Sequence, residues 1–291
     1  MLALVKMALE EDIGAGDLTT LACLEPDPIT AKIFAKCDGI LSGTKPALLA
    51  FEVVDSANDV KFLIDDGTPF KRGDTVAEID GFNQTVLVSE RVALNFLGHL
   101  SGIATLTRQY VDRMRSSGDE RAARCQILDT RKTTPGWRLL EKAAVKHGGG
   151  VNHRLGLYDM VLIKENHIRT AGSIAEAVRR TREYLSTADF RLQFKTSADE
   201  ISIEVEVIDE SQLREAIAAD VNHLLLDNQS EESLRKLSTV ARELNPEIKL
   251  EASGNVTLDN IAAIASTGVD YVSIGALTHS APVADFSMLI T

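Results

Sequence analysis

The sequence predicts an α/β protein: an N-terminal mixed α+β sandwich domain, then a C-terminal α/β barrel, incomplete and TIM-like, of about six or seven strands. Three observations lead there. From residue 103 onward, short apolar runs alternate with helix-like stretches, the pattern of parallel strands joined by right-handed crossovers. Polar residues stand where those runs end, and barrel chemistry gathers at C-terminal strand ends because the interior is packed while the βα loops are free to vary. Before residue 103 the rhythm is different, mixing helical spacing with short alternating segments bounded by glycine.

The elements follow in order. "MLALVKMALEEDIG" has the spacing of an amphipathic helix. It turns acidic too early for a signal peptide and lacks a small-residue cleavage site. "DGTPFKRGDTVAEIDG" (Asp66 to Gly81) alternates apolar and polar residues between turns, as short antiparallel strands do. "SERVALNFLGHLSGIATLTRQYVDRMR" keeps helical spacing for many turns, and Gly98 with Gly102 predicts a bend or break. The domain boundary is placed there: 1–103 forms the first domain, joined by the tail 280–291, and 104–279 forms the barrel. Barrel strands are expected at "QILDT", "DMVLI", "ISIEVEV", "HLLLD", "IKLEA" and "YVSIG", with helices such as "SQLREAIAAD" and "SEESLRKLSTVARELN" between them.

Composition narrows the function. The 291 residues carry a net charge of −12, which argues against nonspecific nucleic-acid binding. No apolar run reaches the ~18 residues of a membrane span. Cys23, Cys37 and Cys125 are scattered and odd in number, without a CxxC pair. This pattern argues against a disulfide framework or a structural zinc site, and points to a reducing cytoplasm.

Against that acidic background one segment is basic. From Ile127 to Ile168 there are seven Lys/Arg and four Asp/Glu, a balance of +3, with His147, His153, His167 and the run Gly148 to Gly150. Cations beside backbone that can approach a ligand closely suggest a polyanion site. Arg131 and Lys132 follow "ILDT", Lys164 follows "DMVLI", and His153 with Arg154 follows the glycines. Singly these are ordinary surface charges or a packed histidine; as a set they adjoin barrel strands. No GxGxxG or GxxxxGK[ST] covers the glycines, so neither a Rossmann site nor a P-loop is supported. Glu204 and Glu206 share one strand face, with Asp227 on the next strand. Without a histidine cluster this set suits hydrated magnesium or a sugar diol better than zinc, unless one glutamate simply pairs with a barrel lysine. "EASGNVT" and "SIGALTHS" read as a phosphate cradle, in which Ser253, Gly254 and Gly275 permit close backbone approach.

The blocks "ALEEDIGAGDLTT", "SERVALNFLGHLSGIAT", "DTRKTTPGWRLLEKAAVKHGGGVNHRLGLYDMVLIKENHI", "IEVEV", "LLLDN", "LEASGNVTLDNI" and "VSIGALTHSAP" resemble the quinolinate phosphoribosyltransferases across nearly the whole chain. The resemblance implies a pentosyltransferase of NAD biosynthesis. Quinolinate and phosphoribosyl pyrophosphate would give nicotinate mononucleotide, pyrophosphate and carbon dioxide, with Mg2+. Carried over residue by residue, it implies quinolinate-binding cations at Arg91, Arg131, His153, Arg154 and Lys164. Lys132 and Lys164 would also reach the phosphoribosyl pyrophosphate side. Glu206 and Asp227 would stand near the ribose and magnesium, with indirect metal contact, and Lys132, Lys164, Glu206 and Asp227 form the catalytic set. Ser253, Gly254 and Gly275 would hold the 5′-phosphate, with His279 next to the last loop. It further implies a homodimer or higher homo-oligomer in which Arg91 is donated across the interface.

The sequence departs from the family at "KENH", where an aspartate usually follows the lysine, and at the last residue of "LDNQ". A stretch at 186–202 is also longer than usual and reads as a surface excursion. The nearest alternative is the paralogous pyrophosphorylase of the molybdenum-transport-associated type. A barrel lyase using Lys164 as a Schiff base and a non-catalytic binding protein are the others.

Overall fold

The computed structural model describes residues 1–291 and contains two compact units. The first comprises Met1–Arg108, Thr133–Gly150 and Ala276–Thr291; the second comprises Gln109–Lys132 and Val151–Gly275. Residues 104–108, Thr133–Gly150 and Ala276–His279, assigned to the barrel from sequence, cluster by contact with the first unit. Side chains in that unit give the reason for Thr133–Gly150. Trp137 stacks on Phe96 at 4.6 Å between ring centres, and Glu141, fully buried, binds His99 at 2.8 Å.

In the first unit, helix Leu2–Ile13 buries Val5 and Leu9. The strands are β1 (Pro28–Ala35), β2 (Gly39–Ile40), β3 (Asp59–Phe62), β4 (Pro69–Phe70), β5 (Thr75–Phe82) and, from the chain end, β12 (Phe286–Ile290). They form a four-stranded antiparallel sheet in the order β12-β1-β5-β3 and a separate β2-β4 pair. The period-2 pattern is visible in β1, where Ala31, Ile33 and Ala35 are buried while alternate residues are not. The antiparallel reading of Asp66 to Gly81 holds.

The expected break at Gly98 and Gly102 does not occur. One helix runs unbroken from Asn83 to Arg115. Its glycines serve close packing instead: a Cβ on Gly102 would lie 2.1 Å from the carbonyl oxygen of Pro282, and one on Gly98 2.8 Å from that of Ala284. The returning tail lies directly on the helix backbone, and the Ala284 N–H donates to the Gly98 carbonyl.

The second unit is built on β6 (Gln126–Leu128), β7 (Val161–Ile163), β8 (Ile203–Val207), β9 (His223–Asp227), β10 (Lys249–Ser253) and β11 (Tyr271–Ser273). All pair in parallel, in the order β6-β11-β10-β9-β8-β7. Chain order thus follows position around the sheet, as in a barrel, but β6 and β7 do not pair. Only a single bridge, Leu128 to Val151, extends β6 on that side. The result is the incomplete barrel the sequence predicts, with six strands.

Helices Ile174–Ser186, Glu210–Ala218 and Glu231–Leu244 intervene, each begun by a side-chain cap from Ser173, Asp209 or Ser230. The stretch 186–202 holds a short helix, Ala188–Phe194, whose buried Phe190 stacks on Phe194. No helix is long and apolar enough to cross a membrane.

Candidate active site

Register brings the sequence-predicted residues of the barrel to one rim. Asp227 pairs with Ser253, and Ser253 with Ser273, so the ends of β9, β10 and β11 are level. Gly275 follows two residues after Ser273. Lys164 follows β7 directly, and Arg131 and Lys132 follow β6 by three and four residues. Glu206 is level with Leu225, two residues before Asp227, so both carboxylates project from neighbouring strands on the same face.

Lys164 Nζ lies 2.5 Å from Glu206 Oε2, so one glutamate does pair with a barrel lysine. Lys164 keeps a half-open side chain, 45% exposed, while that of Glu206 is 13% exposed. The imidazole Nδ1 of His167 accepts the Lys164 N–H at 2.9 Å, fixing the turn from β7 into helix Glu165–Ala171. Arg154 Nη1 donates to the Met160 carbonyl, and the loop between them is closed by Asp159, which accepts the N–H groups of Leu155 and Gly156. Burial, then the like charge of Arg131, lowers the Arg154 pKa from its ordinary value. Two guanidiniums held within electrostatic reach of each other are an arrangement that an anion would relieve.

His153 anchors Arg154. Its N–H donates to Oδ1 of the fully buried Asp129, and its Nε2 lies 3.1 Å from Glu204 Oε2 and 3.4 Å from Glu251 Oε2. Burial alone would lower the His153 pKa; hydrogen bonds and charge from Glu204 and Glu251 outweigh it and raise it to about 9. The N–H of Arg154 is also directed at Nδ1, from 2.7 Å. Both ring nitrogens therefore face protein groups.

The phosphate-like loops are tied together by a residue the sequence reading passed over. Asn228 adopts φ 52°, donates its N–H to the Ser253 carbonyl at 2.8 Å and its Nδ2 to Asp227 Oδ2 at 2.6 Å. Gly254 has φ +97°, and a Cβ there would fall 2.1 Å from Asn228 Oδ1. An asparagine directly after a strand-end acid was the available signal, since Asn tolerates the left-handed region.

As oxygen donors, Glu206 and Asp227 fit magnesium held mainly through water: two carboxylates without imidazole or thiolate are too few for a dry cage but suffice for a hydrated hard cation. The three-residue ligand group of metal-binding spacing is elsewhere, at His153, Glu204 and Glu251.

Family models match both parts of the chain: the quinolinate phosphoribosyl transferase N-terminal domain over residues 17–101 and the C-terminal domain over 103–289. The chain belongs to the quinolinate phosphoribosyl transferase family. It is 42% identical over 282 residues to a probable nicotinate-nucleotide pyrophosphorylase (carboxylating) of Bacillus subtilis, covering 97% of this chain and 90% of that one. With the chloroplastic nicotinate-nucleotide pyrophosphorylase (carboxylating) of Arabidopsis thaliana it shares 38% over 296 residues, 99% and 82% of the two chains. The solved nicotinate-nucleotide pyrophosphorylase of Francisella tularensis superposes with a TM-score of 0.89 at 37% identity, over 100% of this chain and 95% of that one.

Two residues that the family resemblance adds to the site fall in the other compact unit. Arg91 is exposed on helix Asn83–Arg115 and lines a cavity of about 770 Å³ with Asn95, His99, Thr134, Trp137 and Phe286. His279 is exposed and its Nδ1 lies 2.7 Å from Ser280 Oγ.

Proposed function

We propose that the protein transfers the phosphoribosyl group of phosphoribosyl pyrophosphate to quinolinate and decarboxylates the product. The reaction yields nicotinate mononucleotide, pyrophosphate and CO2. The observation that carries this reading is the rim itself: Arg131, Arg154 and Lys164 on one side, Glu206 and Asp227 on the next strands, and the Ser253–Gly254 loop beyond. The cations suit a dicarboxylate, the acids a ribose and its metal, and the glycine loop a phosphate. The names of the relatives support quinolinate over the substrate of the molybdenum-associated paralogue. Lys164 in an ion pair with Glu206 suits a fixed cation better than a free amine nucleophile, which disfavours the Schiff-base lyase.

The chemistry then asks mainly for positioning and charge. Arg131, Arg154 and Lys164 hold the two carboxylates and set the ring nitrogen toward the ribose. His153 contributes by fixing the Arg154 peptide. The ribose C1–oxygen bond breaks with its electron pair going to pyrophosphate, and the ring nitrogen forms the new bond to C1 through an oxocarbenium-like state. Glu206 and Asp227 orient the ribose hydroxyls, and Lys132 meets the departing pyrophosphate. Magnesium bound with water at Glu206 and Asp227 would supply further charge for the pyrophosphate. The ribosylated ring nitrogen is cationic and stabilises the electron pair left on the adjacent ring carbon as its carboxylate departs as CO2; a proton taken from water then completes the C–H bond of nicotinate mononucleotide.

We infer a homodimer or higher homo-oligomer in which Arg91 completes the neighbour's site. A cytoplasmic home fits three cysteines that form no disulfide. Mixing quinolinate, phosphoribosyl pyrophosphate and Mg2+ with the protein is expected to yield nicotinate mononucleotide. Replacing quinolinate by nicotinate should abolish turnover. Absence of the mononucleotide in the first mixture overturns the reading.

A further inference from the structure

Where the parallel ladder runs out, side chains continue the sheet to the rim. The last register pair between β8 and β9 is Val207 with Leu226. The residues that follow them, Ile208 and Asp227, are linked by one carboxamide. Gln229 Nε2 donates to the Ile208 carbonyl at 3.0 Å and to the Asp227 carbonyl at 3.1 Å. A primary amide nitrogen carries two protons, so a single side chain can make both bonds. Its oxygen is engaged as well: Gln229 Oε1 accepts the Ser233 hydroxyl at 2.7 Å, in the first turn of helix Glu231–Leu244. A flipped amide would set its oxygen against two carbonyl oxygens, so the network admits one orientation. Ile208 is gripped from its other side too, because Gln212 Oε1 accepts its N–H at 3.1 Å.

The clamp sits where spacing matters. Asp227 is itself one of the two rim acids, and Ile208 lies two residues beyond the other, Glu206. On the far side of β9 the Asn228 N–H holds the Ser253 carbonyl of β10 at 2.8 Å. Two consecutive residues therefore tie the end of β9 in opposite directions across the sheet, Asn228 to β10 and Gln229 to β8. Slack in either tie passes to the carboxylates within one or two residues. Two acids that must hold one sugar between them tolerate little such slack.

We infer, on the reading that Glu206 and Asp227 orient the ribose, that Gln229 is a positioning residue for the phosphoribosyl half of the reaction. Its carboxamide sets the separation of the strand ends that carry the two acids. It acts through the backbone of those ends, as a cross-strand hydrogen bond would.

The test separates the two substrates. Gln229→Met keeps the length of the side chain and its lack of charge but removes both N–H donors. It is expected to lower kcat/KM for phosphoribosyl pyrophosphate about tenfold, while the quinolinate Kd measured by calorimetry stays within about twofold of wild type. Arg182→Leu is the control for general loosening. Arg182 donates to the Ala219 and Asp220 carbonyls just before β9, at the strand's opposite end. Its loss should lower the melting temperature and leave both values within about twofold. If Gln229→Met does not fold, Ser233→Ala carries the comparison: alanine is favoured at a helical position, and removing the hydroxyl frees the amide to turn. A fall of about threefold in the same kcat/KM, with quinolinate Kd unchanged, is expected there. Unchanged kcat/KM in the variant tested overturns the role of Gln229 and spares the reaction. So does an equal loss of quinolinate binding, or an Arg182→Leu protein as impaired as Gln229→Met. Wild-type kcat/KM in Asp227→Ala overturns instead the reading of the acids. Wild-type protein that makes no nicotinate mononucleotide overturns the reaction itself.

Discussion

Gly254 shows how much one position can ask of its residue. It combines a left-handed φ of +97° with an Asn228 side chain standing where a Cβ would go. The Gly254→Ala protein is expected to lose about 1–3 kcal/mol of stability from backbone strain. It should also bind phosphoribosyl pyrophosphate more weakly, because the Asn228–Ser253 link that shapes the loop must shift. Gly268 provides the control, with φ +102° but only an ordinary 3.4 Å contact to Ser238 Cβ. Gly268→Ala should cost similar stability and leave both KM values alone. Equal kinetic effects of the two variants, set against unfolding curves, would remove Gly254 from the phosphate side.

At this scale the sequence is legible for residue type and blind to pairing. Strand alternation puts Glu204 and Glu206 on one face, but only the register decides that Glu204 meets imidazoles while Glu206 meets Lys164. Gln229 looks like any polar residue after a strand, and Glu251, inside "LEAS", carries no signal of its partners.

Among the elements, the long helix shows why composition misleads locally. Glycine is permissive, so Gly98 and Gly102 read as a bend or break, whereas their neighbours are distant in sequence. The tail at Pro282 to Ala284 could be assigned to the first domain but not laid on a particular helix face. This gives a prediction with a reversed sign. Within a helix, Gly→Ala normally stabilises by about 1 kcal/mol. Gly102→Ala should instead destabilise, since its methyl meets the Pro282 carbonyl oxygen, a backbone atom that cannot rotate away. Thermal unfolding and protease sensitivity of the tail measure it. A raised melting temperature with a protected tail would show that the contact yields freely. Elements with strong local signals fared better: the capped barrel helices and their apolar strands need only nearest-neighbour chemistry, and they appear where their patterns say.

At the level of the whole molecule, the compact units are discontinuous in sequence. Thr133–Gly150 leaves the barrel region to join the first unit, and the chain end returns to it. A linear boundary near residue 103 cannot express that, because it is set by contacts such as His99 with Glu141 and Phe96 with Trp137. The division also separates Arg91 from Arg131, Arg154 and Lys164, which raises the question of whose site each arginine serves. Two differently inactivated proteins decide it. Arg91→Ala removes the proposed donated cation, and Lys164→Ala spoils the barrel rim. A mixed dimer pairs one intact first unit with one intact barrel, so sharing across subunits rebuilds one working site of two. Co-refolding equal amounts of the two variants should then recover about a quarter of wild-type activity, because about half of the dimers are mixed and each holds one good site. Donation within a single chain predicts none, since every subunit carries a defect of its own. If the mixture stays as inactive as its parents while mixed dimers are demonstrated by differential tags, Arg91 acts in its own chain and the shared site is wrong.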